Sequence, residues 1–285
     1  DREMPKNLRD FLLDTFHLEK RGVLVEGRYH NNFDFFKFPD FGLTQLKNIP
    51  FPPLPYTPLE QARDYFAAIR AKDHLVHVPY QSYESTVLFF EKAAVDPNVT
   101  HIKIIQYRVA GKSRIMSALM KAVSMGKQVT AFIELKARFD EEANLKWGEI
   151  LEKAGVDVHY SFPGLKVHSK SALIIRKERG KTKLYAYMST GNFHEGTAKV
   201  YSDLGLFTTD RRITLEVSRL FSYLETVKVT NQQYKHLLVG HFGLLEGLIS
   251  MIDREIAHAK AGRKAKIVLK MNSLQDEEMV QKLYE

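Results

Sequence analysis

Helix and strand patterns alternate regularly between residues 99 and 161, and this alternation is the feature that most constrains the fold. Each apolar run there has the length of a buried strand, and a helical pattern that ends at a glycine separates it from the next. The strands are predicted at 99–107, 128–135 and 156–161, and the helices at 115–125 and 141–154, with stops at Gly126 and Gly155. Strands that alternate with helices predict an α/β layered domain with a mixed, mostly parallel sheet flanked by helices.

The flanking segments extend this domain in both directions. A hairpin is predicted where two strand patterns surround the turn residues Glu178-Arg179-Gly180. The hairpin strands are predicted at 168–176 and 183–190, a last strand at 203–209, and further helices at 58–71, 82–94, 211–226 and 241–260. The strand-and-helix part of the chain is therefore expected to begin near residue 57.

The remaining residues differ in character from this domain. Residues 1–56 are rich in phenylalanine and poorly periodic, and they end in the proline-rich run 49–55, which is typical of a linker. Residues 267–272 resemble the strand at 102–107 and also lead through a polar loop into a helical pattern, which indicates a weak internal repeat. The chain starts at Asp1 and finishes inside a helical pattern, so we expect an internal piece of a longer protein.

The charge balance favours anionic partners. The 285 residues carry 42 Lys and Arg against 34 Asp and Glu, a formal net charge of +8. Such a positive charge favours binding to nucleic acid, an anionic membrane or polyphosphate. It is equally consistent with a basic surface that has no specific partner. The lack of cysteine excludes disulfides and cysteine metal sites and fits a cytoplasmic protein. No apolar run approaches the roughly 20 residues of a membrane-spanning helix, and the histidines show no metal-ligand spacing.

The run from Gly164 to Ile175 carries the strongest indication of chemistry. His168 and Lys170 lie two residues apart where an apolar strand pattern begins. Side chains two apart on a strand share a face, so an imidazole and an ammonium would point at the same spot. Histidine can attack phosphorus while lysine holds phosphate oxygens, which suggests phosphoryl transfer through a phosphohistidine. The alternative is an ordinary edge strand that opens with two polar residues.

Two arginines are predicted to border the same crevice. Arg108 ends the strand at 99–107, and Arg138 follows the strand at 128–135. Ligands of open α/β sheets sit beyond the carboxyl ends of the strands, and arginine suits bidentate contacts with phosphate. Arg138 could equally pair with the acidic residues at 140–142.

Five motifs that include these residues resemble the polyphosphate kinases that make long-chain polyphosphate from ATP. They follow the family's order and spacing: Ile104-Ile105-Gln106-Tyr107-Arg108, Lys136–Asn144, Lys166–Lys170, Ser189–Asn192 and Val200-Tyr201-Ser202-Asp203. The resemblance implies two tandem phospholipase-D-like domains after a helical domain. It divides the chain into the aromatic-rich tail of the helical domain with its linker, a first phospholipase-D-like catalytic domain, and the truncated start of a second, at 1–56, 57–262 and 263–285.

The resemblance also implies roles for the candidate residues. His168 matches the histidine that takes the γ-phosphate of ATP and passes it reversibly to polyphosphate, and Lys170 would offset the charge on the phosphate oxygens. Arg108 and Arg138 match residues of the magnesium site, where they would contact the phosphates that Mg²⁺ also binds. Tyr201 matches a tyrosine that contacts the nucleotide base, although it could instead pack on the sheet.

Asn192 falls where phospholipase-D-like folds place an active-site amide, although it could equally be a turn residue with positive φ. Phospholipase D enzymes usually carry an aspartate seven residues after the histidine, and here that position is Ile175. This departure argues against one alternative, a phospholipase-D-like phosphodiesterase. A non-catalytic module that binds polyanions is the second alternative.

The family resemblance implies Mg²⁺ as the cofactor, ATP as the substrate, and ATP, ADP and polyphosphate as the partners, with no nucleic acid. Full-length members are commonly homo-oligomers and some associate peripherally with membranes, so we expect a cytoplasmic protein capable of membrane association. The family's active site also uses a histidine and an arginine of the second domain and an N-terminal asparagine, which all fall outside this chain. We therefore expect this piece to be inactive alone.

Overall fold

The computed structural model forms two compact units, Asp1–Phe51 and Pro52–Glu285. It describes residues 1–28, 31–49, 51–107, 113–135, 141–161, 164–226, 233–271 and 273–285. The first unit contains helix α1, Lys6–Thr15, and 3₁₀ helices at Lys20–Gly22, Asn32–Lys37 and Thr44–Leu46. No described residue of this unit is buried. The predicted domain boundaries after residues 56 and 262 stay a prediction.

The second unit is organised around one sheet, which holds seven strands in the part of the chain that the structure describes. The strands are β1 His74–Val78, β2 Val99–Gln106, β3 Gln128–Ile133, β4 Asp157–Tyr160, β5 Ser171–Glu178, β6 Lys181–Ser189 and β7 Asp203–Thr208. Their order across the sheet is β1-β7-β6-β5-β2-β3-β4. The predicted layered α/β fold with a mixed sheet is therefore confirmed.

The helices of this unit flank the sheet. They are α2 Thr57–Glu60, α3 Tyr65–Ala71, α4 Glu84–Val95, α5 Arg114–Ser124, α6 Glu141–Lys153, α7 Arg211–Thr226, α8 Leu244–Lys260 and α9 Glu277–Tyr284, with 3₁₀ helices at Thr197–Lys199 and Gly240–Phe242. Among the described residues, no helix is long and apolar enough to cross a membrane.

The prediction of a mostly parallel sheet is wrong, because four of the six pairings between the described strands are antiparallel. Only the β2–β3 and β3–β4 pairs, which α5 and α6 connect, are parallel. The predicted hairpin is confirmed as β5 and β6. Its two turn residues, Arg179 and Gly180, have φ values of 48° and 75°. Two positive φ angles are typical of the two-residue turns that connect the antiparallel strands of a hairpin.

Two apolar clusters cover the two faces of the sheet. The larger lies under α3, α4 and α5 and includes Phe89, Ile104 and Phe207, while the smaller lies under α7 and includes Leu173 and Phe221. Burial of side chains of this size stabilises a fold by about 1.5–3 kcal/mol each. The sheet is therefore covered by apolar side chains on both faces.

Two predicted elements differ from the structure. The helix expected at 58–71 is divided into α2 and α3, because the Asp64 side chain caps a new helix by accepting a hydrogen bond from the Ala67 N–H at 2.9 Å. The strand expected at 267–272 is not formed over its described part, 267–271, which is exposed and joins no ladder. The helix expected after it is present as α9, capped by Asp276.

Candidate active site

The candidate residues converge on one edge of the sheet, meaning the side where strands begin and end rather than an outer strand. Since β5 and β7 run antiparallel to β2, β3 and β6, this edge collects the ends of those three strands and the beginnings of β5 and β7. The segment 165–170 lies just before β5, Asn192 just after β6 and Tyr201 just before β7. Arg108 and Arg138 follow β2 and β3, and both lie outside the described residues.

His168 is presented on an extended segment whose alternate side chains are buried. Leu165 and Val167 are buried, whereas Lys166 and His168 are exposed. The imidazole of His168 lies edge-on against the ring of Tyr107, with 4.7 Å between ring centroids and 81° between ring planes. Leu165 and Val167 therefore pack this segment against the smaller apolar cluster, while the imidazole faces outward.

Lys170 and His168 both lie against the ring of Tyr107, although the strand predicted to begin at residue 168 begins only at Ser171. Both residues precede β5, which begins at Ser171, so no ladder fixes their side chains, and Lys170 is buried while His168 is exposed. The ammonium of Lys170 nevertheless turns back, donates to the His168 carbonyl oxygen at 2.7 Å and lies 5.0 Å from the Tyr107 ring centroid. Its positive charge remains beside His168 by a route that strand periodicity did not predict.

Glu134 is a buried carboxylate to which the sequence reasoning gave no role. Its Oε1 accepts a hydrogen bond from the Ser161 hydroxyl at 2.7 Å, and its Oε2 accepts one from the Val167 N–H at 2.7 Å. It thereby joins the end of β3 to the segment that carries His168. The available signal was an acidic residue directly after the apolar run Ala131–Ile133.

Asn144 ties together the ends of two strands and was also missed. Its fully buried amide Nδ2 donates to the Tyr107 carbonyl oxygen at 2.7 Å and to the Glu134 carbonyl oxygen at 2.9 Å. These carbonyls lie one residue before Arg108 and four residues before Arg138. Asn144 therefore fixes the described starting points of the two arginine-bearing segments.

The turn after β6 reaches the same edge. The Ser189 N–H donates to the Lys170 carbonyl oxygen at 2.9 Å, and the Thr190 hydroxyl donates to Asp203 at 2.8 Å. Asn192 does not have positive φ, so that alternative for it is wrong. Its Oδ1 is buried and accepts no hydrogen bond from any described residue. An unpartnered buried oxygen of this kind can receive a donor that enters the site.

Tyr201 is 59% exposed, so it does not pack on the sheet. Its backbone N–H donates to the Thr197 carbonyl oxygen at 2.9 Å, which fixes the main chain while the ring stays open to solvent. The neighbouring Ser202 hydroxyl lies 2.9 Å from His77 Nε2. This aromatic face is therefore available for stacking, as the prediction of a base contact requires.

An apolar cavity of about 360 Å³ lies beside His168. Its described walls come from 165–169 and Ser171, from Met188, from residues between 217 and 224 of α7, and from 237–242 and Leu244. Glu216 of α7 holds the last of these walls, since its carboxylate accepts the backbone N–H groups of 235, 236 and 237 at 2.8–3.0 Å. Burial raises the pKa of Glu216, but these three hydrogen bonds outweigh burial and leave it below its ordinary value.

The described residues do not build a protein cage for Mg²⁺, since they contain no group of three or more His, Cys, Asp or Glu side chains able to hold a metal ion. Of the carboxylates at this edge, Glu134 is engaged by Ser161 and Val167 and Asp203 by Thr190, while Glu195 has one buried oxygen, Oε2, without a described partner. This donor set does not fit a resident ion held by protein ligands alone.

Comparison with known proteins identifies the family. Residues 64–230 match the family model "Polyphosphate kinase C-terminal domain 1", and residues 237–285 match "Polyphosphate kinase C-terminal domain 2". A polyphosphate kinase of Vibrio parahaemolyticus is 43% identical over 285 residues, which are all of this chain and 41% of that protein. A polyphosphate kinase of Escherichia coli K12 is 43% identical over 286 residues, covering 99% of this chain and 41% of that protein.

A solved structure shows the same arrangement. The crystal structure of polyphosphate kinase from Porphyromonas gingivalis matches with a TM-score of 0.80 and 38% identity, over 100% of this chain and 43% of that one. The chain belongs to the polyphosphate kinase family, and the resemblance predicted from its motifs is confirmed. It spans 41% of the length of the two curated relatives.

Proposed function

We propose that this chain contributes the phosphate-accepting histidine of an ATP:polyphosphate phosphotransferase. The observation that carries the proposal is the exposed imidazole of His168 at the sheet edge, with the ammonium of Lys170 folded back against the same segment. The relatives that match the whole chain are named polyphosphate kinases, which supports this substrate class.

The proposed reaction has two displacements at phosphorus. An unprotonated ring nitrogen of His168 attacks the γ-phosphorus of ATP, the bond to the β–γ bridging oxygen breaks, and ADP leaves. A terminal oxygen of polyphosphate then attacks the phosphorus, the P–N bond breaks, and the polymer is one phosphate longer. The histidine returns to its starting state, and the reverse sequence makes ATP from ADP.

We assign the neighbouring residues to stabilisation of the phosphate charge and to positioning of the substrates. The Lys170 ammonium would offset the charge of the transferring phosphoryl oxygens, which electrostatic stabilisation of the transition state requires. Arg108 and Arg138 would add bidentate contacts to the phosphates. The exposed ring of Tyr201 would stack on the nucleotide base, a contact worth about 1–3 kcal/mol, and Asn192 would complete the pocket through its unpartnered amide.

Mg²⁺ is proposed to arrive with the phosphates of ATP, because this ion is commonly held by substrate phosphates and only one or two carboxylates. It would neutralise charge on those phosphates, and the two arginines would contact the same oxygens without ligating the metal. Homo-oligomer formation, a cytoplasmic location and peripheral membrane association stay predictions.

The experiment that tests the proposal is labelling of the intact protein with ATP carrying ³²P at the γ position. We expect one label that is stable to base and lost in acid, as a phosphohistidine is, and we expect it to disappear in His168→Gln. His258→Gln, which changes a histidine of α8 instead, is the matched control and should label normally. Full labelling of His168→Gln would refute the assignment.

A further inference from the structure

A basic groove lies at the end of the sheet opposite to His168. It has a volume of about 980 Å³ and runs around the turn of the β5–β6 hairpin, the ends of α3 and β7 and the start of α7. Seven basic and two acidic side chains line it among the described residues, an excess of five positive charges, whereas the whole chain has an excess of eight. More than half of the excess charge of the chain is therefore concentrated on one groove.

Two of the seven cations are neutralised within the groove wall. Arg70 and Arg176 each contact the Glu178 carboxylate at 2.8 Å, and Arg176 also pairs with Asp96 at 2.8 Å. Arg176 and Glu178 are only 13% and 15% exposed in their side chains. This internal network uses the one acidic residue at the tip of the hairpin.

The other five cations are left for a ligand. These five side chains form no ion pair with a described residue: Lys177, Arg179, Lys181, Lys183 and Arg211. Lys183 even lies directly opposite Arg176 in the β5–β6 ladder, an arrangement of like charges that disfavours the pairing of strands. Such a concentration of one sign of charge is relieved when a polyanion binds.

Protection of an unpaired strand explains only part of this group of cations. Lysine commonly blocks unpaired edge strands from aggregating. Here Lys181 and Lys183 do lie on a part of β6 without a described β7 partner, since that pairing begins at Ala186. Arg179 lies in the hairpin turn and Arg211 in α7, so shielding of a strand does not account for the whole group of cations.

We propose that this groove binds a distal segment of a polyphosphate chain, and the inference rests on the phosphotransferase function proposed above. The described residues that line the groove include no aromatic side chain. Proteins that hold single-stranded nucleic acid combine a basic groove with aromatic stacking platforms, whereas a chain of phosphates has no base to stack. A groove of cations without aromatic rings fits the phosphate polymer better.

The geometry makes the effect depend on chain length. Strand β5 covers the eight residues from the His168 edge to the groove, which corresponds to about 25 Å at about 3.3 Å per residue. A long polyphosphate can occupy both ends of the sheet, but tripolyphosphate is far too short. The groove should therefore retain long chains and be indifferent to short ones.

The test compares two triple variants of the intact protein that remove the same charge. The groove variant removes three of the five unpaired cations by Lys177→Gln, Lys181→Gln and Arg211→Gln. The control variant removes three exposed lysines of other helices by Lys121→Gln, Lys153→Gln and Lys260→Gln. Binding of long-chain polyphosphate, tripolyphosphate and single-stranded DNA is measured without ATP at several salt concentrations. The groove variant should bind long-chain polyphosphate about tenfold more weakly, with a salt dependence reduced by about two counterions, because charged contacts to a polyanion release counterions.

The proposal is overturned if both triple variants lose affinity equally, since that would show general charge attraction. Equal weakening of tripolyphosphate binding, or a loss confined to DNA, would also overturn it, the latter in favour of a nucleic-acid groove. Circular dichroism checks that both variants are folded. Since no turnover is needed, the result stands apart from His168 labelling: a protein that fails to label can still show the groove effect, and the reverse.

Discussion

Replacement of Glu134 by alanine should destabilise the second unit and slow phosphorylation of His168. The Glu134 carboxylate is fully buried and accepts one hydrogen bond of 2.7 Å from Ser161 and another of 2.7 Å from the Val167 N–H. The second of these fastens the residue directly before His168. The substitution therefore releases the segment on which the imidazole is presented.

The expected magnitude follows from these two contacts. Hydrogen bonds to a charged group contribute about 1.5–3 kcal/mol each, and a buried N–H left without an acceptor is costly in itself. We expect Glu134→Ala to lower the free energy of unfolding by about 3–5 kcal/mol. Glu134→Gln keeps an amide oxygen for the Val167 N–H and should lose only about 1–2 kcal/mol.

Urea denaturation measures the stability, and rapid-quench labelling with γ-³²P-ATP measures the rate at His168 under conditions where every variant is folded. We expect labelling to slow in Glu134→Ala and largely to recover in Glu134→Gln. Glu149→Ala, at an exposed position of α6, is the control and should change stability by less than about 0.5 kcal/mol. An alanine variant as stable as the parent, or a folded one that labels at the parent rate, would refute the reasoning.

Two further substitutions test the frame around the site. The pKa of Glu216 is lowered in the folded protein, so its contribution to stability is present above its ordinary pKa of about 4.5 and is lost as the pH falls through the lower folded value. Glu216→Gln should therefore reduce stability at neutral pH. It should also flatten the acid side of a curve of stability against pH, measured by thermal unfolding. Gly191→Ala places a methyl group 2.6 Å from Asp203 Oδ2, so it should break the hydrogen bond between Asp203 and Thr190. We expect it to lower the free energy of unfolding by about 1–3 kcal/mol, measured by urea denaturation. The control Gly22→Ala, whose methyl group meets nothing within 4 Å, should leave stability unchanged.

The sequence predicts best what depends on neighbouring residues. The glycine stops after α5 and α6 are confirmed by positive φ at Gly126 and Gly155, because a helix end and its stop are adjacent in the chain. The β5–β6 hairpin is confirmed for the same reason, since its two turn residues decide the pairing. The general position of the candidate site, at the edge where these elements end, is also inferred from local patterns and stays a prediction.

What the sequence does not predict depends on contacts between distant segments. The parallel and antiparallel halves of the sheet join where Ile102 of β2 lies beside Ile174 of β5, and periodicity within one strand says nothing about its neighbour. Glu134 is likewise 33 residues from Val167, so its role is invisible until both are buried together. The strand after His168 begins three residues later than the pattern indicated, at Ser171, so the contact of Lys170 with the His168 carbonyl oxygen could not be predicted from strand periodicity.

The order of the strands has a consequence for the making of the protein on the ribosome. Strand β1 is the first of the described strands to be synthesised, and its ladder neighbour is β7, with His74 opposite Phe207. A nascent chain must therefore expose one edge of β1 until about 130 more residues have left the ribosome, because strand pairing requires both partners. Closure of this non-local pair is expected to be a late and slow event, as it is for folds rich in distant contacts. During that interval the half-made sheet is the form most in need of a chaperone.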